Sequence, residues 1–129
     1  MRDSEAMSPV VAGATADSAA VLNAFFEMAQ RWQLSTEEQI VLLGQPARST
    51  FFKWKKGGAT LSTDTEERLS HLFSIWKALQ ILVPDPDLSD SWIRRENRFF
   101  GMSPLDRMLR GQVVDIYAVR EYLDAERGG

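Results

Sequence analysis

The chain has 129 residues, with 15 basic and 18 acidic side chains, a formal net charge of -3, a single histidine and no cysteine. That length holds one domain, or a compact helical domain with a small appended unit, and a hydrophobic content of 44% supports a packed core. Disulfides and thiolate metal sites are excluded and a histidine-based zinc or catalytic site is disfavoured, so we expect no metal, no cofactor and no enzyme.

The first 17 residues, MRDSEAMSPVVAGATAD, hold few large side chains to offset the entropy of ordering them and are expected to form a flexible tail. They lack the apolar core of a secretory leader, and no later run nears the roughly 18 apolar residues of a membrane span. The expected location is cytoplasmic, without membrane contact. From residue 18, Val21, Leu22, Phe25, Met28, Ala29 and Trp32 recur at three- and four-residue steps, with Phe26 widening the stripe, which predicts a first core helix. At that spacing Phe26 and Trp32 belong to the core rather than to a platform for stacked bases.

Residues 36–56, TEEQIVLLGQPARSTFFKWKK, read as a helix-turn-helix. Ser35 is placed to cap the first helix with Glu38 completing a capping box, Gly44 supplies the left-handed position after it, and Pro46 is preset to open the second helix. Six residues, 45–50, separate Gly44 from the inward Phe51, where five are common, so the turn is expected to run long. Phe51 and Trp54 point inward. Outside stand Arg48, Ser49, Thr50, Phe52, Lys53, Lys55 and Lys56, with four cations and no acid between residues 48 and 58 of an acidic chain. Positive charge concentrated against the average suits phosphate contact, and short polar groups near a helix start suit base edges, so these seven residues are the candidate DNA-binding set. A solvated hairpin face is the plainer alternative.

Ser62 or Thr63 is expected to cap a long helix with one stripe of Leu69, Leu72, Phe73, Trp76, Leu79 and Val83 and a second of Ile75, Ala78 and Leu82. Two apolar faces call for packing on the hairpin and on a further unit or subunit. His71, off the main stripe, is read as a surface or interface residue. Pro84-Asp85-Pro86-Asp87 marks the boundary of a C-terminal unit, giving segments of 1–17, 18–83 and 84–129. In the last of these, Ser89 or Asp90 is expected to cap a helix carrying Trp92, Ile93 and Phe99 or Phe100 and ending at Gly101. Ser103-Pro104 starts a short helix closed by Gly111, and Asp115 caps a final helix in preference to a strand at Val113-Val114. The fold class is all-α.

The run WIRRENRFFGMSPLDRMLRGQVVDIYAVREYLD resembles the toxin-binding domain of the Xre/MbcA/ParS antitoxin family. The matching positions are Trp92, Asn97, Phe100, Gly101, Ser103, Pro104, Leu105 and Gly111, and with the preceding helices the likeness covers residues 18–127. It implies an antitoxin whose C-terminal unit covers the active-site mouth of a RES-domain, NAD-consuming toxin, and whose N-terminal unit represses its own operon as a homodimer on operator DNA. Some relatives pair instead with an ADP-ribosyltransferase-like toxin. The same region carries Arg94, Arg95, Arg98, Arg107 and Arg110 against only Glu96 and Asp106, and arginines and aromatics are favoured interface anchors. The turn of residues 99–102 holds more apolar bulk than it can bury locally. The candidate toxin-binding set is therefore Trp92, Arg94, Arg95, Asn97, Arg98, Phe100, Gly101, Met102, Arg107, Arg110, Tyr122 and Arg127. The competing reading is a stand-alone regulator whose C-terminal unit only dimerises.

Overall fold

The computed structural model describes residues 16–58 and 60–128, and among them every regular element is helical. Helix α1 (Ala16–Arg31) starts two residues inside the stretch read as a tail, the rest of which lies outside the described residues. Leu22, Phe25, Met28 and Ala29 are buried on its inner face, and Trp32, whose amide still donates to the Met28 carbonyl at 2.8 Å, continues that face beyond the helix.

Helix α2 (Thr36–Leu42) opens on the expected capping box: the Glu38 amide donates to Ser35 Oγ at 3.1 Å, and the Ser35 amide to Glu38 Oε1 at 2.9 Å. It closes in a Schellman turn, with the Gly44 amide on the Val41 carbonyl at 3.1 Å and the Gln45 amide on that of Ile40 at 2.8 Å. Gly44 has φ +99° and Gln45 φ +62°, so two successive residues are left-handed and the turn does run long. Pro46 accordingly falls outside helix α3 (Arg48–Lys55), whose N-cap is Ala47. Pro46 is therefore not the first helical residue, because Gln45 has taken up the extra position.

Helix α4 (Thr63–Leu82) starts at Ser62, which caps the Thr65 amide at 3.1 Å, and the Thr65 hydroxyl donates to the Leu43 carbonyl at 3.0 Å. That bond ties the base of α4 to the hairpin turn. Helix α5 (Pro86–Ser91), a 3-10 turn at Trp92–Arg94, helix α6 (Pro104–Met108) and helix α7 (Val113–Glu126) follow. One core runs through the molecule, from Phe25, Leu42 and Phe51 through Leu72, Ile75 and Leu79 of α4 to Ile93, Met108, Ile116 and Val119. The two faces of α4 meet α1 and α7, so its second stripe is covered by its own chain.

Further local expectations are settled in the C-terminal part and where it meets α4. The C-terminal unit does not open with a helix capped at Ser89 or Asp90 and running to Gly101. Asp85 Oδ1 accepts from the amides of Asp87 and Leu88 at 2.9 and 3.1 Å, Pro86 takes the first helical position, and the helix gives way to the 3-10 turn by Trp92. The final helix begins at Val113 with Gln112 as N-cap, and Asp115 reaches back to the Gln112 amide at 3.2 Å. Of the surface and interface alternatives for His71, the structure shows the interface: it is buried where α4 meets α7, with Arg120 Nη1 donating to its Nδ1 at 3.0 Å, Glu67 Oε2 3.4 Å from its Nε2, and Tyr117 packed edge-on at 5.3 Å. Its partners on α7 lie 46 and 49 residues on in sequence, which α4's own periodicity does not disclose.

Candidate functional site

The structure presents two surfaces, one built on α3 and one where the segment of residues 92–102 meets α7, and it leaves several candidate residues, Arg94, Arg107 and Arg110 among them, away from both. On α3, Phe51 and Trp54 fasten the helix to the core, and Phe51 meets Phe26 of α1 edge-on at 5.8 Å. With that face fixed, the turn per residue carries Ser49, Phe52, Lys53 and Lys56 to the opposite side, where all four are exposed. Thr50 is half-buried on the flank.

The cations of this surface are not equivalent. Arg48 Nη1 donates to Glu37 Oε2 on α2, and its guanidinium lies 5.7 Å from the centre of the Phe52 ring. The Lys55 ammonium sits 5.4 Å from the Phe26 ring and 5.8 Å from that of Phe51, over the seam between α1 and α3. Lys53 and Lys56 have no side-chain partner among the described residues and are left for a ligand's charge. Glu37, in the first turn of α2, holds Arg48.

The turn between α2 and α3 is backed by an ion pair of α4. Arg68 is buried and donates to Asp64 Oδ2 at 2.8 Å and to the Gly111 carbonyl at 2.9 Å. A Cβ on Gly44 would stand 2.8 Å from that Asp64 oxygen and 3.2 Å from Arg68 Nε, so the turn glycine lets the hairpin close onto this ion pair. Nothing in the periodicity of α4 marks Arg68 as buried, since its second partner, Gly111, lies 43 residues on.

On the second surface the Asn97 amide donates to the Met102 carbonyl at 3.1 Å, and the Asn97 carbonyl accepts from Phe100 and Gly101 at 3.2 and 3.0 Å. Asn97 Oδ1 takes the Phe99 amide at 2.8 Å, and Gly101 has φ +72°. Asn97 and Gly101 thus build a tight loop that lifts Phe99 out to 71% exposure, the highest of any large apolar side chain among the described residues. Phe99 packs 4.9 Å from the Tyr122 ring, Phe100 lies 5.3 Å from it, and Trp92 stacks on it at 6.2 Å. Phe99 is missing from the sequence-derived set. The apolar excess of the turn was the signal for it.

The arginines divide in the same way as the lysines. Arg94 donates to the carbonyls of Trp32 and Gln33, Arg95 Nη1 to Ser91 Oγ at 2.8 Å, and Arg107 Nε to the buried Asp115 at 3.0 Å. These three are engaged within the chain. Arg98, Arg110 and Arg127 are exposed and have no side-chain partner among the described residues. Arg110 precedes Gly111, whose Cα faces Gln45 and Val41, so it stands beside the hairpin turn. Arg127 follows the last turn of α7, which lines a cleft with Trp92, Leu82 and Val83. Met102 is half-buried beside Glu38 and Arg94.

No group of three or more potential metal ligands lies together among the described residues, and no described helix is long and apolar enough to cross a membrane. Residues 12–74 match the family model for the antitoxin Xre-like helix-turn-helix domain, and residues 78–129 match that for the antitoxin Xre/MbcA/ParS C-terminal toxin-binding domain. The chain is also 63% identical over 119 residues to the uncharacterized protein y4oB of Sinorhizobium fredii, covering 89% of this chain and 92% of that one. On these two matched halves and this fold, the chain belongs to the Xre/MbcA/ParS antitoxin family.

Proposed function

We propose that the protein is the antitoxin of a type II toxin-antitoxin system whose toxin is a RES-domain enzyme that consumes NAD, and that it also represses its own operon. Membership of the family supports an antitoxin and regulator with DNA and a toxin as partners. The toxin-masking reading rests on one observation: the C-terminal segment that matches a toxin-binding domain carries an exposed Phe99 backed by the half-buried rings of Trp92, Phe100 and Tyr122, while the RES-domain and NAD assignments follow from the family resemblance. Clustered aromatics of this kind anchor protein interfaces. Arg98 and Arg127 supply charge at its edge. The protein acts by covering the toxin's active-site mouth and needs no chemistry of its own.

The operator arm is α3, entering a major groove with Ser49 and Phe52 facing base edges and Lys53 and Lys56 facing phosphates. Two such helices in a homodimer would read half-sites one helical turn apart. Co-expression with the product of the adjacent reading frame tests the toxin arm: the two proteins should co-purify, and cellular NAD should fall when the antitoxin is absent. Co-purification with no effect on NAD would retain the antitoxin and reject the RES assignment.

A further inference from the structure

We infer that Phe52 is a base-reading residue that makes an apolar contact with the 5-methyl group of a thymine in the major groove. The inference rests on the DNA-binding reading and adds to it the chemical feature that the helix recognises. Phe52 is 42% exposed at the middle of α3, on the side opposite the buried Phe51 and Trp54. Its outward neighbours Ser49, Lys53 and Lys56 are polar or cationic, so the ring is not part of an apolar patch that a protein partner would cover. A lone apolar group within a cationic, hydroxyl-bearing face fits a nucleic-acid surface, where the thymine methyl is the one apolar feature of the major-groove edge.

The ring is also held in place. It meets Phe51 edge-on at 5.3 Å, and the Arg48 guanidinium, itself tied to Glu37, lies 5.7 Å from its centre. Little side-chain entropy is then left to lose on binding. Arg48 becomes a positioning residue for Phe52 rather than a reader of guanine.

The test uses the full-length protein and a duplex recovered with it from a random-sequence library. Each thymine is replaced in turn by deoxyuridine, which deletes the methyl group and keeps the base pair. Wild type should lose about fourfold in affinity at one thymine of each half-site, the worth of one buried methyl. Phe52→Ala should be indifferent to that replacement, while Phe52→Leu should keep part of the preference. A half-site without an invariant thymine, or equal sensitivity in wild type and Phe52→Ala, overturns the methyl contact and leaves DNA binding intact. If no duplex is recovered and random DNA is not bound in a salt-dependent way, the DNA-binding reading falls and takes this inference with it.

Discussion

Arg94 donates from Nε and Nη2 to the carbonyl of Trp32, each at 3.1 Å, and from Nη2 to that of Gln33 at 2.6 Å. These carbonyls lie just past the end of α1, where no further turn of helix accepts their bonds. The 3-10 turn of the C-terminal segment thereby stitches itself to the N-terminal helix across 62 residues of sequence. Replacing Arg94 by Ala should lower stability by about 1 to 2 kcal/mol, the range for charge-assisted bonds discounted for partial exposure. Lysine should not restore it, since one ammonium cannot reproduce the fork. Urea unfolding of the three proteins checks this, and an unchanged midpoint in Arg94→Ala would remove the stitch.

Gly44→Ala should destabilise by about 1 to 3 kcal/mol, because φ +99° is strained for any residue with a Cβ, and that atom would press on the Asp64–Arg68 pair. The displaced hairpin should also weaken DNA binding by more than the stability loss explains. Comparison of affinities at a temperature where both proteins are folded measures the second effect.

Asp115→Ala removes at once the acceptor for Arg107 Nε and for the Gln112 amide. Asp115 is 5% exposed, so a loss of about 2 to 4 kcal/mol is expected. Because α7 covers α4, unfolding should stay a single transition, with helical and tryptophan signals lost together. Separate transitions would mean that the two halves fold independently.

Lys53 and Lys56 are the free cations of α3, so their replacement by Ala should weaken binding to all duplexes alike and lower the salt slope by about 1 per lysine. The same change should leave association with the toxin untouched. Lys55→Ala should do less to the slope, as its ammonium already lies over Phe26 and Phe51. Titration over a range of salt concentrations separates the three.

Much that depended on near neighbours in the chain could be read from the sequence. The Ser35–Glu38 box, the left-handed Gly44, the inward Phe51 and Trp54, and the long hairpin turn all follow from spacings of a few residues. Pairings across the chain were not legible: Arg94 with the end of α1, Arg68 with Gly111, and His71 with α7 each join elements more than 40 residues apart. The start of α5 was lost for a different reason. Asp85-Pro86 was taken as a boundary, though the same two residues make a good N-cap and first helical position. For the candidate sites, periodicity separated inward from outward side chains on α3, but it could not say which outward cations were already occupied.

In the proposed function the aromatic surface around Tyr122 masks the toxin. Because α7 lies on α4, truncating the C-terminal segment would expose Leu79 and the α4 face that holds His71 and confuse lost binding with lost folding, so a point change at the exposed Phe99 is the sharper probe. The measurement is cellular NAD during expression of the adjacent gene's product together with wild-type antitoxin or with Phe99→Ala, the folding of each being followed by circular dichroism. Wild type should preserve NAD, while Phe99→Ala, equally folded, should bind the toxin more weakly by about 2 kcal/mol and allow NAD to fall. Equal protection by both proteins, or loss of NAD with wild type present, would contradict the account.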